Sequence, residues 1–385
     1  MKTILESRKI GNLEIKNRII RSATYEAMAS EDGYITDDLL KLYKNLAEGG
    51  AGLIITGNAY IHPNGKTNHR QIGAYHDDLI PGLKKLSEIV HNHGEDCKIA
   101  LQINHCGRQS FLLQNTFAPS AIQEGFTKNM PREMTIAEIR ETIEAFAEAA
   151  RRAKEAGFDA IQLHSAHGYL LSEFLSPFTN RRTDEYGGNT ENRVKIIEEI
   201  YKRSVELVGE DFPILIKINV DDFLEGGLTL DESKKVAEKL SKIGFAAIEI
   251  SGAMWEVALR KRKELGWKPS FLPESRTNIG IKNNESYHLP YAKEIKKVIE
   301  VPLIIVGGLR SLDNIEEILI EGRVDFIALC RPLIREPDLP NKWLSGIGPN
   351  MCECISCNGC VASVTTAGLH CTQKKKLNQN IIKES

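Results

Sequence analysis

The sequence predicts a (β/α)₈ barrel followed by a short cysteine-rich C-terminal extension. Three observations carry this. Short Ile/Leu/Val-rich runs alternate with longer amphipathic stretches, and there are eight of them, nearly all followed by a helix pattern. The runs are continuously apolar rather than alternating, as in parallel strands covered on both faces. The length fits, since such a barrel takes about 250 residues plus loops and the chain has 385. Alternation alone does not specify closure, so a doubly wound open sheet is the rival.

In order, the strand candidates are Arg18–Tyr25, Gly52–Gly57, Lys98–His105, Ala160–Ala166, Pro213–Val220, Ala246–Gly252, Pro302–Gly308 and Asp325–Pro332. Between them lie helix patterns. Asp37–Glu48 opens on acidic residues and stops at Gly49-Gly50. Thr135–Ala156 opens on a capping box, Thr135 and Glu138, and stops at Gly157. Thr190–Val208 stops at Gly209, Leu230–Ile243 at Gly244, and Ser311–Glu321 at Gly322. Two insertions, Cys106–Pro131 and Ala253–Tyr287, follow strands three and six. In a barrel both overhang the C-terminal face, where active sites sit. The tail from Lys374 reads as a disordered end. The domain boundary falls at 346, with 1–346 the barrel and 347–385 the cysteine-rich extension and tail.

Composition narrows the function. Lys plus Arg is 50 against 52 Asp plus Glu, which argues against a nucleic-acid binder built on a general basic field. No run reaches the 18 to 20 apolar residues of a membrane span. Met1 to Arg18 is charged throughout and has no secretory h-region, so the expectation is a cytoplasmic protein. Five of the eight cysteines, Cys352, Cys354, Cys357, Cys360 and Cys371, crowd into twenty residues. In a reducing compartment that reads as a metal site rather than as disulfides. A homo-oligomer is compatible with the sequence, which does not specify one.

The fourth strand ends in His164-Ser-Ala-His167-Gly-Tyr169. Two imidazoles at a strand's C-terminal end can donate to one substrate oxygen, and a phenol two residues on can deliver a proton. The stretch His164–Arg193, HSAHGYLLSEFLSPFTNRRTDEYGGNTENR, closely resembles the signature of the old yellow enzyme family, the flavin-dependent ene-reductases. Asn17-Arg18, Gln102 with His105-x-Gly107-Arg108, Phe117-Ala-Pro-Ser120 and Gly322-Arg-x-Asp325 recur in the family in this order. The resemblance covers about residues 4–345.

It implies a (β/α)₈ barrel holding FMN at its C-terminal face. Gln102 matches the glutamine on the flavin's pyrimidine edge. Lys217 matches the cation beside flavin N1 and O2, where it stabilises the negative charge of the reduced form. Ser22, Ala23 and Thr24 match the dimethylbenzene side and the N5/O4 edge, and Gly57 and Asn58 a further edge position. Ser251-Gly252, Gly307-Gly308 and Cys330-Arg331, at the ends of strands six to eight, match the phosphate site. Tyr25 stands where some relatives carry a redox-tuning cysteine nearby.

The implied reaction runs from NAD(P)H to flavin, then from flavin N5 to the β-carbon of an enone or enoate. His164 and His167 polarise the carbonyl, and Tyr169 protonates the α-carbon. The rival functions are an amine dehydrogenase or demethylase running the same flavin in the oxidising direction, and an electron-transfer flavoprotein without its own organic substrate. The His164/His167 pair disfavours the first, whose members use a Tyr/His arrangement. Arg181, Arg182, Asp184, Tyr186 and Asn189 read as a structural turn into the following helix.

Cys354-Ile-Ser-Cys357-Asn-Gly-Cys360, ten residues, then Cys371, resembles the trimethylamine dehydrogenase and dienoyl-CoA reductase subgroup, which carries a [4Fe–4S] cluster after the barrel. The last gap is shorter than usual in that subgroup, and the sequence has no counterpart of its large flavin and nucleotide domains. Three readings stay open for Cys354, Cys357, Cys360 and Cys371: a [4Fe–4S] cluster, a structural zinc, or reduced thiols.

Overall fold

The structure, a computed structural model, describes residues 2–279, 285–346 and 348–374. The expected disordered tail beyond Lys374, and residues 280–284 of the second insertion, lie outside these. Eight parallel strands form the centre: β1 (Ile19–Arg21), β2 (Leu53–Ile55), β3 (Lys98–Asn104), β4 (Ala160–Ser165), β5 (Ile214–Asn219), β6 (Ala247–Ser251), β7 (Leu303–Val306) and β8 (Phe326–Leu329). Each pairs with the next, and β8 pairs back onto β1, with Ile327 opposite Ile19. The sheet is therefore a closed barrel and not the open rival. β1 is shorter than expected, although Ser22 N still donates to the Leu329 carbonyl of β8 at 3.0 Å.

Alternation along the strands sorts side chains to two sides. Ile20, Leu53, Ile55, Ala100, Ala160, Leu215, Ala247, Ile304, Phe326 and Ala328 form one buried inner cluster. Ile99, Leu101, Ile161, Leu163, Ile216 and Ile218 pack outward against the helices. An antiparallel hairpin, Arg8–Ile10 with Leu13–Ile15, contributes Ile10 and Ile15 to the inner cluster. Through them it packs against the inner cluster of the barrel.

The surrounding helices include α1 (Asp37–Glu48), α2 (Ile80–His93), α3 (Ile136–Glu155), α4 (Thr190–Val208), α5 (Leu230–Ile243), α6 (Leu289–Lys296) and α7 (Leu312–Ile320). The Thr135/Glu138 capping box forms at α3, and a second, Thr229 with Glu232, at α5, which ends on left-handed Gly244. Two helices lacked a clear sequence pattern, α2 and α6. Each carries proline in its first turn, which reads as a breaker although that position needs no donor.

The charged turn is structural. Arg182 Nη1 donates to the carbonyls of Pro119 at 3.0 Å and Met134 at 2.7 Å, and Asn189 caps α4. The two insertions meet over the open face. Phe111 packs on Trp255 with ring centres 5.2 Å apart, Phe126 on Phe271 at 4.8 Å, and Arg108 pairs with Glu256 at 2.5 Å.

Candidate active site

A cavity of about 620 Å³ opens at the C-terminal ends of the strands. Its wall contains Ser22, Ala23, Thr24, Asn58, Gln102, His164, His167, Tyr169, Lys217, Ser251, Gly307, Gly308, Cys330 and Arg331. Gly57 and Gly252, also expected there, are not part of that wall. Gly57 donates its N–H to Glu26 Oε1 at 2.8 Å, and a Cβ on it would lie 2.0 Å from that carboxylate. Its smallness serves Glu26. A Cβ on Gly252 would touch Phe223 at 3.0 Å and His288 at 3.3 Å. Gly307 has φ of +119°, and a Cβ there would lie 2.6 Å from the Tyr287 ring, so Tyr287 enforces the glycine.

His164 and His167 face each other with ring centres 5.2 Å apart, edge to face, and Tyr169 lies 4.9 Å from His164. Three chemical groups from one strand end thus share one wall. Burial first, then the Lys217 charge, holds the His164 imidazole well below the ordinary histidine range. Burial, then His164, Lys217 and His288, does the same to His167. Both rings are neutral donors at neutral pH. His167 has φ of +64°, its N–H donates to Asn219 Oδ1 at 3.1 Å, and its Nε2 meets Ser251 Oγ at 2.7 Å. Burial, then the Glu274 charge, pushes the Tyr169 phenol far above the ordinary tyrosine range, while Asn58 beside it pulls the other way. The phenol therefore keeps its proton.

A polar layer crosses the barrel at the cavity floor. Lys217 lies in register with His164 on one side and Glu249 on the other. Its Nζ is 3.1 Å from Glu249 Oε1 and donates to Ser22 Oγ at 3.0 Å, and that hydroxyl donates to Glu249 at 2.6 Å. Gln162 Nε2 donates to Glu249 Oε2 at 2.8 Å, and Gln102 Nε2 donates to Gln162 Oε1 at 2.7 Å. This chain fixes which way the Gln102 amide points. Gln162 and Glu249 were missed in the sequence, as were Arg310 and Glu274. The available signal for Glu249 was period-two spacing with Ala247 and Ser251 on β6.

Arg331 lines the cavity while its Nη1 donates to Arg276 O at 2.8 Å and Asn358 Oδ1 at 2.6 Å. Asn358 belongs to the cysteine loop, so Arg331 joins that loop to the barrel. Arg331 and Cys360 also line a second, small cavity together with Cys354, Cys357 and Cys371. All four thiols are free. Among the described residues no group of three or more His, Cys, Asp or Glu side chains is gathered as a metal ion requires.

The large cavity fits a flavin. His164 Nδ1, Glu274 Oε2 and Arg310 Nε are buried in its lining residues without partners, and the Gln102 amide and Lys217 ammonium stand on one floor. Such a cavity in the mouth of a closed barrel suits a flavin nucleotide such as FMN. Comparison with known proteins agrees. The NADH:flavin oxidoreductase / NADH oxidase family matches residues 4–350. An NADH oxidase of Thermoanaerobacter brockii is 41% identical over 360 residues, 92% of this chain and 52% of that protein. An NADPH dehydrogenase of a Geobacillus strain is 36% identical over 343 residues, 88% of this chain and 93% of that protein. A 2-naphthoyl-CoA reductase, solved with 2-naphthoyl-CoA, superposes with a TM-score of 0.84 at 29% identity over 93% of this chain and 54% of its own. The chain belongs to the NADH:flavin oxidoreductase / NADH oxidase family, that of old yellow enzyme. It spans about half the length of the NADH oxidase and of the naphthoyl-CoA reductase.

Proposed function

We propose that the chain reduces the C=C bond of α,β-unsaturated carbonyl compounds at the expense of NAD(P)H. The observation that carries this reading is the convergence of two neutral imidazoles and one protonated phenol on a single cavity wall. Ser22, Ala23, Thr24, Asn58, Gln102, Lys217, Ser251, Gly307, Gly308, Cys330 and Arg331 are the residues that would hold FMN, with Gly57 and Gly252 behind that wall. FMN supplies the hydride relay between nicotinamide and substrate. His164 and His167 donate to the carbonyl oxygen and stabilise charge that develops there. Tyr169 delivers its phenolic proton to the α-carbon. Trp255, 5.8 Å from the Tyr169 ring, and Phe111 exclude water from that step.

The names of the relatives, an NADH oxidase, an NADPH dehydrogenase and a reductase solved with an aromatic acyl thioester, support nicotinamide as the electron source and a conjugated carbonyl as the acceptor. Cys354, Cys357, Cys360 and Cys371 are proposed to bind a [4Fe–4S] cluster. The test reduces the FMN-loaded protein anaerobically with NADH and follows flavin reoxidation. Cyclohexenone reoxidises it, and methylamines do not reduce the oxidised protein. The reverse pattern would assign the chain to amine oxidation. Reoxidation by neither compound, with transfer only to acceptor proteins, would assign it to electron transfer.

A further inference from the structure

The polar layer contains a charge that the reading above does not use. Glu249 is fully buried on β6 and is not part of the cavity wall. It stands behind Lys217, in register with it on the adjacent strand, at 3.1 Å. Both Glu249 oxygens are engaged: Oε1 by Ser22 and Lys217, which line the cavity, and Oε2 by the buried Gln162. A carboxylate this deep persists because a cation and two donors satisfy it. In such a dry layer, charge interactions are only weakly screened.

We infer that Glu249 is a positioning residue that acts as the counter-ion of Lys217 and thereby holds down the reduction potential of the bound flavin. A reduced flavin carries negative charge on its pyrimidine side, which Lys217 stabilises. Glu249 already neutralises that ammonium in the oxidised protein, so the negative charge gained on reduction competes with the carboxylate for one cation. Removing the carboxylate charge leaves Lys217 wholly available and makes the reduced form easier to reach. The inference rests on FMN occupying this cavity.

The test is the two-electron midpoint of protein-bound FMN, read spectrophotometrically against redox dyes. Glu249→Gln keeps the shape and the acceptor for Ser22 but loses the charge. It should raise the oxidised-to-reduced equilibrium at least tenfold toward the reduced form, an upward shift of about 30 mV or more. The same subtraction is made a second time in the Lys217→Gln background. There no ammonium is left for the carboxylate to neutralise, so the substitution should shift the midpoint by less than it does beside Lys217, and an equal shift overturns the counter-ion role. If Glu249→Gln alone does not take up FMN, Glu249→Asp, which draws the charge back from Lys217, makes the first comparison and should also raise the midpoint. A midpoint that stays put or falls on removal of the carboxylate overturns the inference while leaving the FMN site intact. Wild-type protein that takes up no FMN overturns the site itself and the inference with it.

Discussion

The Nε2 of His167 lies 2.7 Å from the hydroxyl of Ser251, so the end of β6 fixes the ring that the end of β4 presents. Ser251 reads from the sequence as a cofactor contact, and the geometry adds the orientation of an imidazole. Ser251→Ala should lower kcat/KM for an enone about three- to tenfold, the worth of one hydrogen bond. FMN titration of the same variant separates the two roles. Weakened FMN binding with unchanged enone kcat/KM would show that the hydroxyl serves the cofactor alone.

The protonation states make a pH profile. His164 and His167 are held below the ordinary histidine range and Tyr169 above the ordinary tyrosine range. None of the three changes charge near neutrality. Glu274, in the cavity wall, is held up to about 7, chiefly by burial. Its ionisation places a negative charge near a phenol that must itself become anionic. The enone kcat/KM should therefore fall as pH rises through about 7. Glu274→Gln should remove that inflection, and an inflection that persists in the variant would assign it to another group.

Much of the fold was legible because strand, helix and cap signals agreed. Thr135 with Glu138 forms the box its spacing predicts, and Lys217 betrays itself by interrupting an apolar strand. Glu249 did so equally on the next strand, but meaning came only from register, which brings opposite charges side by side across β5 and β6. Glycines carry a second meaning for a related reason. Gly57 and Gly307 are required by Glu26 and Tyr287, side chains distant in sequence that no local pattern reveals. The Asn358–Arg331 link between the cysteine loop and the barrel is likewise tertiary.

Gly307→Ala should be severe. The backbone is left-handed, and the added methyl meets the Tyr287 ring at 2.6 Å. Strain of this kind costs about 1–3 kcal/mol, and relief requires Tyr287 to leave the cavity edge. Thermal unfolding should show the loss, and FMN affinity should drop with it. A Gly322→Ala control, also left-handed but with nothing within 4 Å of its Cβ, should lose stability without losing FMN. Equal FMN loss in both variants would remove the argument for a specific role of Gly307.

The iron–sulfur assignment predicts separable cofactors. Cys354→Ala should abolish iron and sulfide, about four of each in the anaerobically purified protein, while FMN stays bound to the barrel. Metal analysis that finds no iron in the wild-type protein would remove the cluster and leave structural zinc or reduced thiols.

Stability should depend on a buried carboxyl below Tyr169. Glu173 is fully buried in the short helix Leu170–Leu175, with Oε1 accepting from Arg108 N at 3.0 Å. Burial lifts its carboxyl to about 8, against the pull of the Arg108 charge, which Glu256 also engages at 2.5 Å. A carboxyl whose folded pKa lies above its unfolded value retains the proton longer when folded. Folding stability should therefore decline as pH rises from about 4.5 and level off above about 8, a loss of a few kcal/mol over that window. Glu173→Gln keeps an acceptor for Arg108 and removes the titration. Urea unfolding at pH 5, 6.5 and 8 should show a sloping series for the wild type and a flatter one for the variant, with the largest gain at pH 8. Equal slopes would mean that Arg108 outweighs burial and that Glu173 is ionised throughout.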